Sequence, residues 1–198
     1  MFTKGLPVWI NNRECEMNVH AVFSTEVSAD DAVKLHIAGT AFYRAFADDK
    51  FLASGPARTA KGYVREDVLN LPKGTKKVTI EAVGYYCHSI STVWQPSFIM
   101  AEITAGEKVL AYTGKDFAGY CPGIKIQKTE RYSVQRHFTE IWDYRNNKSM
   151  TDDTYKVEVT PVDVKPIVLD RKAAYPIYDN IELDVARSRG DFIYDEER

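Results

Sequence analysis

Short segments rich in Val, Ile, Phe and Tyr, separated by turn-forming residues, most constrain what this chain can fold into. Each is five to eight residues long, the usual length of a β-strand. No stretch of twelve or more residues has the i, i+3, i+4, i+7 spacing of an amphipathic helix. We predict strands at 33–39, 41–47, 50–54, 77–83, 97–103, 107–112 and 155–162. The pattern therefore predicts an all-β fold, an antiparallel β-sandwich or jelly roll, with few short helices, one of them a turn capped by Ser28.

The segment "KVTIEAV", residues 77–83, has the alternation typical of a half-buried strand. Val78, Ile80 and Ala82 fall on one face, whereas Thr79 and Glu81 fall on the other. We expect the first face to contact the core and the second to point outward.

The segment "SFIMAEI", residues 97–103, is apolar on both faces. Phe98 and Met100 oppose Ile99, Ala101 and Ile103, so this strand is predicted to lie centrally and to be covered on both sides. The following "TAGEK", residues 104–108, contains a glycine and predicts a hairpin loop.

Length, charge and cysteine content narrow the class of protein. With 198 residues and a formal net charge of −2, the chain suits one domain with an appended segment and lacks the positive charge that attracts nucleic acid or an anionic membrane. Its start lacks the apolar region of a secretory signal, and no apolar run approaches the roughly eighteen residues of a membrane span.

Cys15, Cys87 and Cys121 form no CxxC pair, which favours free thiols in a reducing compartment. We expect a cytoplasmic protein, or a secreted one if a signal precedes this start.

From about Lys165 the short strand-like segments give way to extended chain that contains proline. Residues 1–164 are predicted to form the β-sandwich domain, and residues 165–198 an extended linker and the start of a further domain. Within that segment, "IELDVAR" and "DFIYDE" are typical of the two strands of an isolated hairpin, which is barely stable alone. We therefore expect the chain to be an N-terminal piece of something larger.

Four stretches between residues 43 and 145 point to a known family. They are "YRAFADDKFLASGPAR" at 43–58, "GYVREDVLNLPKGTKKVTIEAVGYY" at 62–86, "QPSFIMAEI" at 95–103 and "RYSVQRHFTEIWDYR" at 131–145. The first two are similar to a strand, hairpin, Gly-Pro-Ala-Arg loop and following strands in the N-terminal β-sandwich region of bacterial α-L-rhamnosidases, a family of inverting glycoside hydrolases. The last two resemble later strands of the same region, so the resemblance covers roughly residues 7–145.

The resemblance implies a galactose-binding-like β-sandwich module. For the whole protein it implies hydrolysis of terminal α-L-rhamnosides by a general acid and a general base, with no organic cofactor. The catalytic domain of that family is a barrel of paired helices, which the sequence does not predict here, so the chemistry would lie downstream. The expected partners are this downstream domain and rhamnose-containing glycans, and not nucleic acid or a membrane.

The hairpin turn departs from the usual pattern. Asp48 and Asp49 stand where Asn-Gly is usual, and Asp adopts positive φ less readily than Gly. We expect a longer or different turn here.

Acidic pairs and histidines predict neither a catalytic nor a metal site. The two carboxylates of an inverting glycosidase stand about 6.5 to 9.5 Å apart, whereas the neighbouring carboxylates here fall mostly at predicted turns or chain ends, where solvated pairs are common. These pairs are at 30–31, 48–49, 66–67, 152–153 and 195–197. The four histidines lack the HxH or HExxH spacing of a metal site, and we assign His36 and His137 to strands as structural residues. Calcium held by loop oxygens stays open.

The loop "GYYCHSISTVWQPS", residues 84–97, holds the candidate contact residues. Tyr85, Tyr86 and Trp94 have aromatic faces that stack on sugar rings. The same side chains are the usual anchors of domain interfaces. The first alternative is a glycan platform. The second, which the sequence favours, is that Trp94 and one of the tyrosines plug the end of the barrel or pack on the neighbouring catalytic domain.

The Gly-Pro-Ala-Arg loop raises a similar choice. Gly55 permits an unusual backbone, Pro56 stiffens it, and the guanidinium of Arg58 offers five donors. Arg58 either clamps the loop internally or contacts an anionic or polyhydroxylated ligand. Because the resemblance places this motif in a non-catalytic module, we favour the clamp.

Together these features predict a non-catalytic module that supports a catalytic helical barrel and contacts glycan. A free-standing carbohydrate-binding module is the alternative, and a small β-sandwich enzyme is the third.

Overall fold

The computed structural model describes residues 2–28, 32–131, 133–145, 148–177 and 190. These residues form short strands and a 3₁₀ turn, Asp153–Tyr155, in which the Thr154 amide donates to the side chain of Asp152. The strands are β1 (Val8–Ile10), β2 (Val19–Glu26), β3 (Val33–Gly39), β4 (Phe42–Ala47), β5 (Lys50–Gly55), β6 (Tyr63–Asn70), β7 (Lys77–Gly84), β8 (Ile99–Ala105), β9 (Lys108–Tyr112), β10 (Ala118–Tyr120), β11 (Lys156–Val157), β12 (Val159–Pro161) and β13 (Ile167–Asp170). Each of the seven strands predicted from the segments rich in Val, Ile, Phe and Tyr overlaps one of these, which confirms the all-β class. The helical turn predicted after Ser28 falls on residues 29–31, outside the described part.

The first sheet has the order β12-β1-β8-β3-β6-β13, with β9 added on β8. Its pairs are antiparallel except β6–β13, which is parallel. β8 pairs with β1, β3 and β9, and both of its faces are buried from Ile99 to Ile103. Its central position is therefore confirmed, and so is the hairpin to β9, whose loop contains Gly106 at φ 60°.

The second sheet has the order β11-β10-β2-β7-β4-β5 and is antiparallel throughout. The core lies between the two sheets. Trp9, Leu35 and Ile99 come from the first sheet, Phe23 and Ile80 come from the second, and all five are fully buried. Burying a side chain of this size contributes about 1.5–3 kcal/mol. This packing confirms the predicted β-sandwich, and the jelly-roll assignment stays a prediction.

The β4–β5 turn corrects an expectation. Ala47 pairs directly with Lys50, and Asp48 and Asp49 lie between them at φ 45° and 64°. This is a two-residue turn with both central residues at positive φ, the same kind that Asn-Gly forms. The Asp48 carboxylate accepts hydrogen bonds from the backbone amides of Lys76 and Lys77 at 3.0 and 2.9 Å. These bonds offset the backbone strain, so the prediction of a longer or different turn was wrong.

β13 adds a strand to the edge of the first sheet, and the predicted boundary at residue 164 stays a prediction. It pairs with β6 in parallel register, and the next residue, Arg171, donates to both carboxylate oxygens of Asp67 at 2.9 and 3.0 Å. Asp67 is fully buried and also accepts a hydrogen bond from the Tyr43 hydroxyl. Tyr175 packs its ring under the Arg171 guanidinium at 4.3 Å. The hairpin predicted at 181–196 lies outside the described residues.

Candidate ligand-binding cleft

A cleft of about 280 Å³ opens on the outer face of the second sheet. It forms there because Val78, Ile80 and Ala82 of β7 point into the core, which leaves Glu81 and Val83 on the outer side. Strands β4, β5 and β7 supply its floor, and residues 140–144 supply one wall. We name it the sheet-face cleft, and its lining is Phe42, Tyr43, Arg44, Ser54, Glu81, Val83, Tyr85, Glu140, Trp142 and Tyr144.

A charged network centred on Glu81 lies in the floor. Arg44 stands directly opposite Glu81 in the β4–β7 register, and its Nε and Nη2 donate to Glu81 Oε2 at 2.9 and 2.5 Å. His20 Nε2 lies 3.1 Å from the other oxygen, Oε1. Burial by itself raises the pKa of Glu81, but the His20 hydrogen bond and the charge of Arg44 outweigh it and hold the pKa below its ordinary value. Glu81 is therefore a buried, ionised carboxylate.

The wall is aromatic and is fixed by Glu140. The Tyr85 hydroxyl donates to Glu140 Oε1 at 2.5 Å, and Trp142 Nε1 donates to Oε2 at 3.2 Å. The rings of Trp142 and Tyr144 are stacked, with centroids 6.2 Å apart and planes 6° apart. Burial raises the pKa of the Tyr85 hydroxyl, and its bond to Glu140 adds to the effect. The hydroxyl therefore stays protonated and donates to Glu140.

Backbone pairing joins the wall to residues 124–126. Asp143 N donates to Ile124 O at 2.7 Å, and Ile126 N donates to Ile141 O at 2.9 Å. Between them Lys125 is buried, with Nζ 2.5 Å from Asn18 Oδ1 and 5.8 Å from the ring centre of Trp142. Burial lowers the pKa of Lys125, against the opposing effect of Glu140. The wall is thus a fixed part of the fold.

The three aromatic residues singled out in the sequence do not lie together. Tyr85 is buried in the sheet-face cleft, where its ring stacks on His137 at 4.1 Å. Tyr86, at φ 41°, forms an edge-to-face pair with Trp94 at 5.8 Å outside the lining of that cleft. Trp94 is 57% exposed. A role in glycan or domain contact stays a prediction for each of them, but at two separate places.

The Gly-Pro-Ala-Arg loop leaves β5 through a cis Gly55–Pro56 bond. A Cβ at Gly55 would overlap the Tyr43 hydroxyl and the Asp67 carboxylate, so glycine is required by close approach. Arg58 is exposed, and among the described residues its guanidinium has no hydrogen-bond or ion-pair partner. The clamp therefore stays a prediction with no contact to support it.

Most of the cleft was missed from the sequence. The described residues of the stretch 131–145, which was assigned to a later strand, form an irregular segment with one isolated bridge between Lys125 and Trp142. The strand assignment of His137 was therefore wrong, whereas His36 lies in β3 and is hydrogen-bonded to Glu66 at 2.9 Å. The alternation of Glu140, Trp142 and Tyr144 could have predicted the wall of the cleft, because residues i and i+2 of an extended chain lie on the same side.

One of the acidic pairs is held by partners inside the sandwich. Glu66 and Asp67 lie in β6 rather than at a turn, and both are buried, Glu66 against His36 and Asp67 against Arg171. Those at 30–31 and 195–197 lie outside the described residues. In the described part of the chain, no three His, Cys, Asp or Glu side chains are placed to share a metal ion, and no helix there is long and apolar enough to cross a membrane. The three cysteines are free.

The fold is similar to part of several solved α-L-rhamnosidase structures. A family GH78 rhamnosidase of Bacillus sp. GL1 superposes with a TM-score of 0.76 over 88% of this chain, at 17% identity. The α-L-rhamnosidases of Aspergillus terreus and Dictyoglomus thermophilum superpose with TM-scores of 0.55 and 0.53 over 82% and 86% of this chain, at 14% and 11% identity. The chain spans only about a fifth of each of these structures, 20%, 21% and 21%. No protein-family model matches the sequence, and no curated protein is significantly similar to it.

The superpositions confirm the fold that the sequence resemblance implies. At these identities the likeness concerns the fold, and it concerns a β-sandwich that occupies one part of a much longer enzyme.

Proposed function

We propose that this chain is a non-catalytic β-sandwich module of an α-L-rhamnosidase-like glycoside hydrolase. The observation that carries the proposal is the superposition on the Bacillus rhamnosidase, which includes 88% of this chain but only 20% of that one. A match of this kind is expected of one domain of a multidomain enzyme. The module supports the catalytic domain, and acts in the cytoplasm.

The partners of the two acidic groups in the cleft support a non-catalytic role. An inverting hydrolase needs an acid and a base facing each other across a water and the scissile bond. Glu81 is held by Arg44 and His20, and Glu140 is held by Tyr85 and Trp142. Each carboxylate is already hydrogen-bonded to two side chains of this chain, which suits binding and support better than proton transfer.

The experiment is turnover of an aryl α-L-rhamnoside by the purified 198-residue protein. We expect no release of the aryl alcohol above that of a preparation from cells without the gene. Turnover that is lost in Glu81→Gln or Glu140→Gln would contradict the proposal and establish a small β-sandwich enzyme. In parallel, an antibody against this chain is expected to detect a product several-fold heavier than 22.5 kDa in the source.

The sheet-face cleft favours a second candidate, a carbohydrate-binding module. Aromatic rings and polar groups converge in it, as they do in small-molecule sites. A natural product that ends at Arg198 and binds sugar saturably would favour this alternative. A heavier product that binds sugar through the same cleft would support both candidates. The module would then support the catalytic domain and also contact glycan.

A further inference from the structure

We infer that the sheet-face cleft binds one neutral pyranose residue, with a C–H face of the sugar against Trp142 and Tyr144 and its hydroxyls on Arg44, Ser54 and Glu81. This inference deepens the proposed function, on which it rests for the choice of sugar as the ligand class.

The free hydrogen-bonding capacity of the floor points to hydroxyl groups. Among the described residues, Arg44 Nη1 and the Ser54 hydroxyl have no hydrogen-bond partner, although both belong to the lining. Glu81 Oε2 accepts two hydrogen bonds from Arg44, whereas Oε1 accepts one from His20, which leaves one lone pair on Oε1 for a further donor. A sugar hydroxyl both donates and accepts, so adjacent hydroxyls can accept from Arg44 and donate to Glu81.

The charges of the lining disfavour ionic ligands. An anion would meet the carboxylates of Glu81 and Glu140. A cation would have to displace Arg44 from Glu81, or Tyr85 and Trp142 from Glu140. Displacing Arg44 is costly because Glu81 is buried. A neutral polyhydroxyl compound leaves every existing pair intact.

The wall offers the apolar counterpart. Tyr144 is 63% exposed and parallel to Trp142, so the stacked pair presents a ring face to the opening. Phe42 and Val83 continue the apolar surface toward the interior of the cleft. Ring faces carry negative partial charge and attract polarised C–H bonds. One side of the cleft thus fits C–H groups, and the other fits hydroxyls.

The size of the cleft limits the ligand to one residue. Its volume of about 280 Å³ lies near the lower end of the roughly 300–1,000 Å³ of small-molecule sites. For so small a ligand we expect a dissociation constant on the order of 1 mM.

The test uses the three tryptophans as local probes. Trp9 is buried in the core, Trp94 is exposed outside the lining, and Trp142 lies in the wall. Their indole N–H signals are recorded in a nitrogen-15 correlation spectrum of the full 198-residue chain and assigned with Trp→Phe variants. L-Rhamnose, L-mannose and D-galactose are titrated to about 50 mM, tens of times the expected dissociation constant. We expect the Trp142 signal to shift saturably with at least one sugar, and the Trp9 and Trp94 signals to stay in place.

Matched variants separate binding from folding. Tyr144→Ala removes an exposed ring and is expected to weaken binding about 3- to 10-fold. Trp94→Ala removes another exposed ring outside the cleft and should leave binding unchanged. Arg44→Lys keeps the charge but removes the forked donor, and should weaken binding with the spectrum otherwise unaltered.

Two results would overturn the inference. One is the absence of a saturable Trp142 shift with all three sugars, and the other is a shift confined to Trp94. Neither touches the proposed function, which fails instead on turnover of the rhamnoside. Sugar binding without turnover supports both.

Discussion

Two buried carboxylates in this β-sandwich, Glu81 and Asp67, are each paired with an arginine, but they differ in where that arginine lies. The side chain of Arg44, the partner of Glu81, is 49% exposed at the mouth of the sheet-face cleft. The side chain of Arg171, the partner of Asp67, is only 7% exposed. A half-exposed arginine has donors left for an outside group, whereas a buried one has its donors directed inward. The first pair therefore suits recognition, and the second suits attachment of the chain segment after β13.

The largest effect is expected from Arg171→Met. Removing this partner leaves Asp67 fully buried with one fewer donor, and an uncompensated buried charge costs about 3–5 kcal/mol. We expect a loss of that size in the free energy of unfolding, measured by urea denaturation.

The double variant Arg171→Met, Asp67→Asn controls for this interpretation, since it removes the charge as well. It should recover part of the loss. Equal stability of the single variant and the wild type would break the comparison, because it would show that Asp67 does not depend on Arg171.

Glu81→Gln should have the next largest effect, a loss of about 2 kcal/mol at neutral pH, because the ion pair with Arg44 and the bond to His20 are weakened inside the sheet. The stabilisation that Glu81 supplies also depends on pH. The pKa of Glu81 is lowered in the folded state, so its stabilisation is present above the unfolded pKa of about 4.5 and is lost as the pH falls through the lower folded value.

Wild-type stability should thus fall more steeply than that of Glu81→Gln below pH 4.5. Urea midpoints measured between neutral pH and the acid range check this. Parallel acid profiles of the two proteins would contradict the assigned role of Glu81.

Arg44→Ala should cost less, about 1 kcal/mol, because this arginine is half exposed and water replaces part of what it supplies. His20 still bonds to Glu81 in this variant. The comparison predicts a small loss in the urea midpoint together with a clear loss of sugar binding. A loss as large as that of Arg171→Met would remove the distinction between the two pairs.

The smallest effect is expected from Arg58→Lys. Arg58 is exposed and has no partner among the described residues, so the free energy of unfolding should change by less than about 0.5 kcal/mol. A larger loss, with sugar affinity unchanged, would establish the clamp that the sequence predicts.

The strands could be predicted from neighbouring residues, whereas the site depends on contacts between residues that are far apart in the sequence. The alternation in 77–83 placed Glu81 on the outer face correctly, since side-chain direction in a strand depends only on neighbouring residues. Its buried network could not be predicted, because its partners His20 and Arg44 lie 61 and 37 positions away in the chain. Likewise, nothing near Asp67 in the sequence announces Arg171, which lies 104 positions away.

In the hairpin at Asp48-Asp49, contacts with a distant part of the chain also outweigh a local preference. The φ preference of aspartate predicted a different turn, but two amides from the start of β7 hold its carboxylate and reverse the outcome. A local preference of about 1 kcal/mol is easily outweighed by contacts that the sequence does not reveal. The Gly-Pro-Ala-Arg loop shows the same limit, since Gly55 is required by Tyr43 and Asp67 rather than by the turn itself.

The parallel pairing of β13 with β6 has a mechanical consequence. Two strands joined side by side along their length resist a pull along the strand axis in shear, because all their hydrogen bonds must give way together. Four register pairs, followed by the Arg171–Asp67 bond, tie the chain to the sheet at this point. A load applied to the polypeptide after Tyr175 would therefore reach the β-sandwich directly, without a slack tether to absorb it.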